Sequence, residues 1–148
     1  KVMLEVGNIL YVYDFQFKNG NPDRNKYFII LNIVGDDLFV ASLPTKHDHV
    51  PRQIEKNHGC LNDDSLRFNC YYFPKDHVIT EDTGFGFPLN TYVYGEEVDS
   101  YSVEKFHDTY TEFVDYELVG KMKEDEFQGL IDCLKRSGQT KRRIKRLL

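Results

Sequence analysis

A chain of 148 residues with 41% hydrophobic and 29% charged side chains can bury an ordinary core as one domain, without disulfide staples. No apolar run approaches the roughly 18–20 residues of a membrane span, so membrane, collagen, disordered and disulfide-scaffold classes are excluded. The net charge of −5 is uneven: residues 135–148 carry seven basic groups and no acidic one, leaving 12 basic against 24 acidic groups elsewhere, a net of −12. A nucleic-acid partner would therefore have to be met by local basic patches.

Ten Tyr and eleven Phe lean the composition towards strands. Residues 9–17 (ILYVYDFQF) place Tyr11, Tyr13, Phe15 and Phe17 on one face at period two, the pattern of a strand. Residues 18–25 (KNGNPDRN) are a turn-rich loop. Residues 27–34 (YFIILNIV) are continuously apolar, as expected of a strand buried on both faces. Gly35-Asp36-Asp37 turns the chain, and residues 38–43 pair back as a hairpin. Residues 45–66 read as a long polar loop, 68–73 and 91–94 as strands, and 84–88 (GFGFP) as a glycine-broken loop.

Ser102 caps a short helix over 103–107, and residues 113–119 alternate with Val114, Tyr116 and Leu118 on one face. From Lys123 the period changes. Phe127, Leu130, Ile131 and Leu134 stand at i, i+3, i+4 and i+7, with Glu124, Asp125 and Glu126 in the first turn and Lys135 and Arg136 in the last, as the helix dipole favours. Gly138 stops this helix. The residues alone indicate a small, mostly antiparallel barrel followed by a helix and a basic tail. Cys60, Cys70 and Cys133 form an odd, widely spaced set that favours a reducing cytoplasm over a disulfide framework. No signal-peptide pattern opens the chain, and a start at Lys1 rather than Met suggests a trimmed leader or tag.

The N-terminal third resembles a known family. Gly7-Asn8-Ile9-Leu10-Tyr11-Val12-Tyr13-Asp14-Phe15, then Asp23 to Asn32 (DRNKYFIILN), then Val40-Ala41-Ser42-Leu43-Pro44-Thr45 are similar in order and type to MazF/PemK-type toxins of type II toxin–antitoxin pairs. Val119-Gly120-Lys121 before an amphipathic helix resembles that family's closing element. The likeness covers 1–46 and, more loosely, 91–134. It implies a mainly β (α+β) fold, a small antiparallel SH3-like barrel with a C-terminal amphipathic helix, over residues 1–136 with a 46–90 insertion and a 137–148 tail. It further implies a cytoplasmic homodimer that cleaves single-stranded RNA without metal or cofactor and is held by a cognate antitoxin.

In this chemistry the RNA 2′-hydroxyl attacks the adjacent phosphate. The enzyme must accept one proton, deliver another and hold the charged phosphoryl oxygens, for which a bidentate Arg is suited. The family's Arg-Pro is absent; Lys26 and Tyr27 stand there, with Arg24 two residues earlier, and Pro44 occupies the Thr position with Thr45 one later. Arg24, Lys26 and Thr45 are the expected catalytic residues, and Lys46, His47, His49 and Arg52 the expected RNA contacts.

Other readings accompany these. His47-Asp48-His49 with His58 and Cys60 has metal-ligand chemistry but no recognised spacing, so no metal is expected; the same histidines suit proton transfer. Phe68, Tyr71, Tyr72 and Phe73 are core or a base-stacking surface. The basic C-terminus either tracks phosphates or docks through Ile144, Leu147 and Leu148, and Cys133 is expected as a small buried apolar residue. The alternative function is a barrel of the same build without catalysis, binding protein or nucleic acid; a metal-dependent hydrolase on the His/Asp loop is a third.

Overall fold

The strand periodicities of the N-terminal third produce three consecutive antiparallel strands, β1 (Asn8–Phe15), β2 (Arg24–Val34) and β3 (Asp37–Leu43). The computed structural model describes residues 2–16, 18, 24–43 and 48–148. β1 starts sharply because Gly7 takes a φ of +89°, open to glycine at little cost, and the buried Asn8 amide donates to the Met3 carbonyl at 3.0 Å. Val34 and Asp37 pair directly, so the hairpin turn is the two residues Gly35-Asp36, with Gly35 at a φ of +58°.

The remaining elements are β4 (Gly59–Asp63), β5 (Phe68–Phe73), β6 (Thr91–Val93), β7 (Val98–Ser102), α1 (Val103–Thr109), β8 (Tyr116–Lys121), α2 (Glu124–Arg136) and α3 (Arg142–Leu147). They form a five-stranded antiparallel sheet in the order β7-β3-β2-β1-β8 and a three-stranded one in the order β4-β5-β6. The fold is mainly β with three α-helices among the described residues. Neither sheet closes into a barrel there, and no helix among the described residues is long and apolar enough to cross a membrane.

β2 is buried on both faces, as its apolar run predicts. Ile29 and Leu31 face a core shared with the second sheet, α2 and α3, while Phe28 and Ile30 face a core shared with α1. The apolar stripe of α2 enters the first core: Leu130, Ile131 and Leu134 are buried there, each contributing roughly 1.5–3 kcal/mol.

Several expectations are corrected. Phe15 does not share a face with Tyr11 and Tyr13. Val12 pairs with Lys26 but Phe15 with Arg24, a bulge in which Asp14 adopts a φ of +49°. The extra residue re-phases the strand. Phe15 consequently packs against Phe28 (ring centroids 4.6 Å) and Tyr101 (5.3 Å) in the α1-side core; Phe17 lies outside the described residues.

The polar stretch before residue 66 contains β4, which is held by pairing with β5. The polar VDSYS sequence forms β7 by pairing with β3. The strand expected from residue 113 starts at Tyr116, because Thr111 to Tyr116 make a tight turn that leaves Phe113 76% and Val114 70% exposed.

Cys133 is buried but is not a lone apolar side chain. It is disulfide-bonded to Cys60 across a sequence separation of 73, with Cα atoms 5.5 Å apart, and Cys70 is the buried free thiol. Spacing rules could not find this bond, because α2 and β4 meet only in the folded chain.

Candidate functional site

The strongest chemical constellation gathers on α2. Lys123 enters the helix by donating its N–H to the Ile79 carbonyl at 2.8 Å, tying the first turn to the loop after β5 that carries His77. Glu126 sits in that turn, where a carboxylate suits the positive end of the helix, yet it points inward and its side chain is only 7% exposed.

Three groups meet its carboxylate. His58 Nε2, one residue before β4, lies 2.8 Å from Oε1; His77 Nε2 lies 3.3 Å from Oε2; and the Tyr71 hydroxyl of β5 donates to Oε1 at 2.9 Å. The two imidazole rings are 4.1 Å apart centre to centre, and each is partly exposed. The His77 loop is fixed by Gly86, whose missing side chain allows backbone contact: a Cβ there would fall 2.6 Å from the His77 carbonyl oxygen.

An ionised Glu126 accepts hydrogen bonds only, so each imidazole presents Nε2–H to it and keeps Nδ1 as the position for taking up a proton. Tyr71 is held in its neutral, donating form, its pKa raised first by burial and then by the Glu126 hydrogen bond and charge. The same donors, two imidazoles and a carboxylate whose ligand atoms lie within 4.8 Å of one another, could hold a divalent transition metal with Tyr71 orienting the carboxylate.

The expected site residues sit elsewhere. Arg24 and Lys26 lie on β2 at alternate positions with Phe28, on the α1 side of the large sheet; Arg24 is exposed and Lys26 half-buried. The cluster is on the other side, with Tyr71 in the core shared by α2. His49 donates its backbone N–H to the Tyr94 hydroxyl at 2.9 Å, and Asp48 pairs with Lys56. Tyr94 belongs to the opposite face of the small sheet from Tyr71, so His49 is separated from His58. Arg52 is exposed in a turn closed from Ile54 N–H to the Pro51 carbonyl. Thr45, Lys46 and His47 lie outside the described residues. Tyr71, Tyr72 and Phe73 are core, with Phe68 half-buried beside them.

Of the cluster, His58 was recognisable as a titratable candidate. Glu126 carried a signal that helix-dipole reasoning obscured: four residues before Leu130 and eight before Leu134, it occupies the helix's apolar face. Tyr71 was legible only as core or a stacking ring, and His77 carried no signal. No family model, curated protein or solved structure matches this chain.

Proposed function

We propose that this protein is a cytoplasmic, metal-independent endoribonuclease of the toxin–antitoxin kind, built as a divergent SH3-like barrel, homodimeric and restrained by an antitoxin. The observation carrying the catalytic part is the pair of imidazoles set on one buried carboxylate. The order of elements agrees with the resemblance: three N-terminal antiparallel strands, then a Val119-Gly120-Lys121 strand paired to β1 that runs into the amphipathic helix. The Cys60–Cys133 bond is the feature that pulls against a reducing compartment.

In this reading proton transfer belongs to His58 and His77 rather than to Arg24, Lys26 and Thr45. One imidazole takes the 2′-hydroxyl proton as that oxygen bonds to phosphorus. The other protonates the departing 5′-oxygen as its P–O bond breaks. The products are a 2′,3′-cyclic phosphate and a free 5′-hydroxyl. Glu126 orients both rings and offsets the imidazolium charge, and Tyr71 fixes Glu126.

The test is incubation of the purified protein with end-labelled single-stranded RNA in excess chelator, analysing the cleaved ends. Cyclic phosphate termini, reduced roughly 10²- to 10⁴-fold in His58→Ala and in His77→Ala, are expected. Cleavage that both variants retain refutes the assignment of the site. Cleavage abolished by chelator transfers the cluster to metal-assisted hydrolysis, and intact RNA with the wild type favours the binding module.

A further inference from the structure

The seven basic residues of 135–146 are not a loose tail. The turn after α2 is fixed by the buried Thr140 hydroxyl donating to the Leu134 carbonyl at 2.8 Å. α3 then docks through Ile144, 3% exposed, while Leu147 and Leu148 pack on the α2-side core and the Asn32 amide donates to the Leu147 carbonyl. Docking through these apolar residues turns the cations outward: Lys135, Arg136, Lys141, Arg142, Arg143 and Arg146 are exposed and Lys145 is half-buried.

None of the seven forms an ion pair among the described residues. The Lys–carboxylate pairs found there lie elsewhere, at Lys18–Asp99, Lys56–Asp48 and Lys121–Glu5. In a chain whose other 134 residues carry a net −12, seven cations without an ion pair, at the end of α2 and along α3, give this segment a positive local potential. Asp132, the nearest acid on α2 in sequence, accepts from Gln128 instead.

A groove of about 390 Å³ adjoins this face at the end of α2, and Arg67, Arg136, Gln139 and the half-buried Phe68 line it. Asp63 and Asp64 also line it, held by Ser65 and the Leu66 N–H and by Asn62, and their charges offset the two arginines, so the cationic surplus lies on α3 beside the groove. Cations beside a partly exposed ring suit a strand with phosphates and unpaired bases. Glu126 and Arg136 stand ten residues apart on α2, which at the helical rise is about 15 Å. A strand a few nucleotides long spans that length of helix.

We propose that the α3 face is a binding track for the phosphate backbone of single-stranded RNA, delivering it to the His58–His77 cluster. The choice of RNA rests on the function proposed above; the presence of a polyanion track does not.

The probe is a fluorescent 2′-O-methyl oligouridylate, which lacks the attacking hydroxyl and so reports binding alone. Its affinity is measured by anisotropy between about 50 and 200 mM salt, where each phosphate neutralised adds about −0.7 to the slope of log K against log salt. The variant Lys141→Ala/Arg142→Ala/Arg143→Ala, which leaves Ile144 and the histidines untouched, is expected to bind roughly 10- to 100-fold more weakly with a slope shallower by about 2. Lys121→Ala, a cation away from the track, should match the wild type.

An unchanged affinity and slope in the triple variant, or no wild-type binding at the lowest salt, overturns the track. Poly-glutamate competing as well as RNA of equal charge overturns the assignment to RNA in favour of an acidic protein face. Binding that follows the expected slopes while natural RNA stays intact leaves the track standing and removes the catalytic proposal. Cleavage with no effect of the triple variant does the reverse.

Discussion

Breaking the Cys60–Cys133 bond should cost this protein a large part of its stability and loosen the His58–Glu126 contact. The bond closes a loop with a sequence separation of 73. The loop-closure entropy it removes from the unfolded chain corresponds to about 4 kcal/mol at 25 °C. Domains of this size hold roughly 5–15 kcal/mol in total, so the loss is a sizeable fraction and should lower Tm by about 10 °C.

The bond also has a local role. β4 is an edge strand paired only to β5 in its sheet, and the disulfide links it covalently to α2. His58 precedes β4 and Glu126 opens α2, so the link spans the two elements whose contact forms the site. The third thiol should not scramble the pairing, because burial pushes the Cys70 pKa up to about 12 and keeps it protonated. Urea unfolding of the oxidised protein, the reduced protein and Cys60→Ala/Cys133→Ala measures the effect. The last two should coincide, about 4 kcal/mol below the first, with RNA cleavage reduced in both. A difference under about 1 kcal/mol between oxidised and reduced protein would refute this reasoning, since chain entropy alone requires more.

Three further outcomes are expected. Gly86→Ala drives a methyl group to 2.6 Å from the His77 carbonyl oxygen, and overpacking of this kind costs about 1–3 kcal/mol; chemical denaturation should show that cost, and RNA cleavage by the folded fraction should drop because His77 is displaced. Tyr116 is wholly buried and its hydroxyl has no hydrogen-bond partner among the described residues. Tyr116→Phe should therefore raise stability by about 1 kcal/mol, and a lower Tm would show that the hydroxyl is satisfied. Ser102 caps α1, accepting from the Lys105 N–H at 3.2 Å, so Ser102→Ala should cost about 1 kcal/mol.

Ser102 carries a pH signature as well. Its hydroxyl, and after it the Glu104 N–H, hold the Asp36 carboxyl below its usual range. A depressed carboxyl favours the folded state above its unfolded pKa of about 4, and that contribution fades as pH falls through the lower folded value. The Ser102 variant should accordingly show a flatter loss of stability below about pH 4 than the wild type, measured as urea midpoint against pH.

Sequence determined those features set by neighbouring residues. The apolar run at 27–34 required a doubly buried strand, Gly35-Asp36-Asp37 a hairpin, Ser102 a helix start and the i, i+3, i+4, i+7 spacing of Phe127 to Leu134 an amphipathic helix, and each formed, the hairpin with a turn one residue shorter. These elements follow from short-range sterics, capping and periodic burial, which a window of residues contains.

Tertiary structure decided what depends on distant partners. GCLND and VDSYS have weak strand character and became β4 and β7 because β5 and β3 offered unpaired edges. One bulge at Asp14 moved Phe15 to the opposite face, since alternation reverses with a single extra residue. The candidate site is assembled from positions 58, 71, 77 and 126, whose meeting no local spacing encodes. For the basic segment the sequence offered both a phosphate-tracking charge run and docking through Ile144, Leu147 and Leu148; its packing on the domain was decided by Ile144 finding a core built by residues far earlier in the chain.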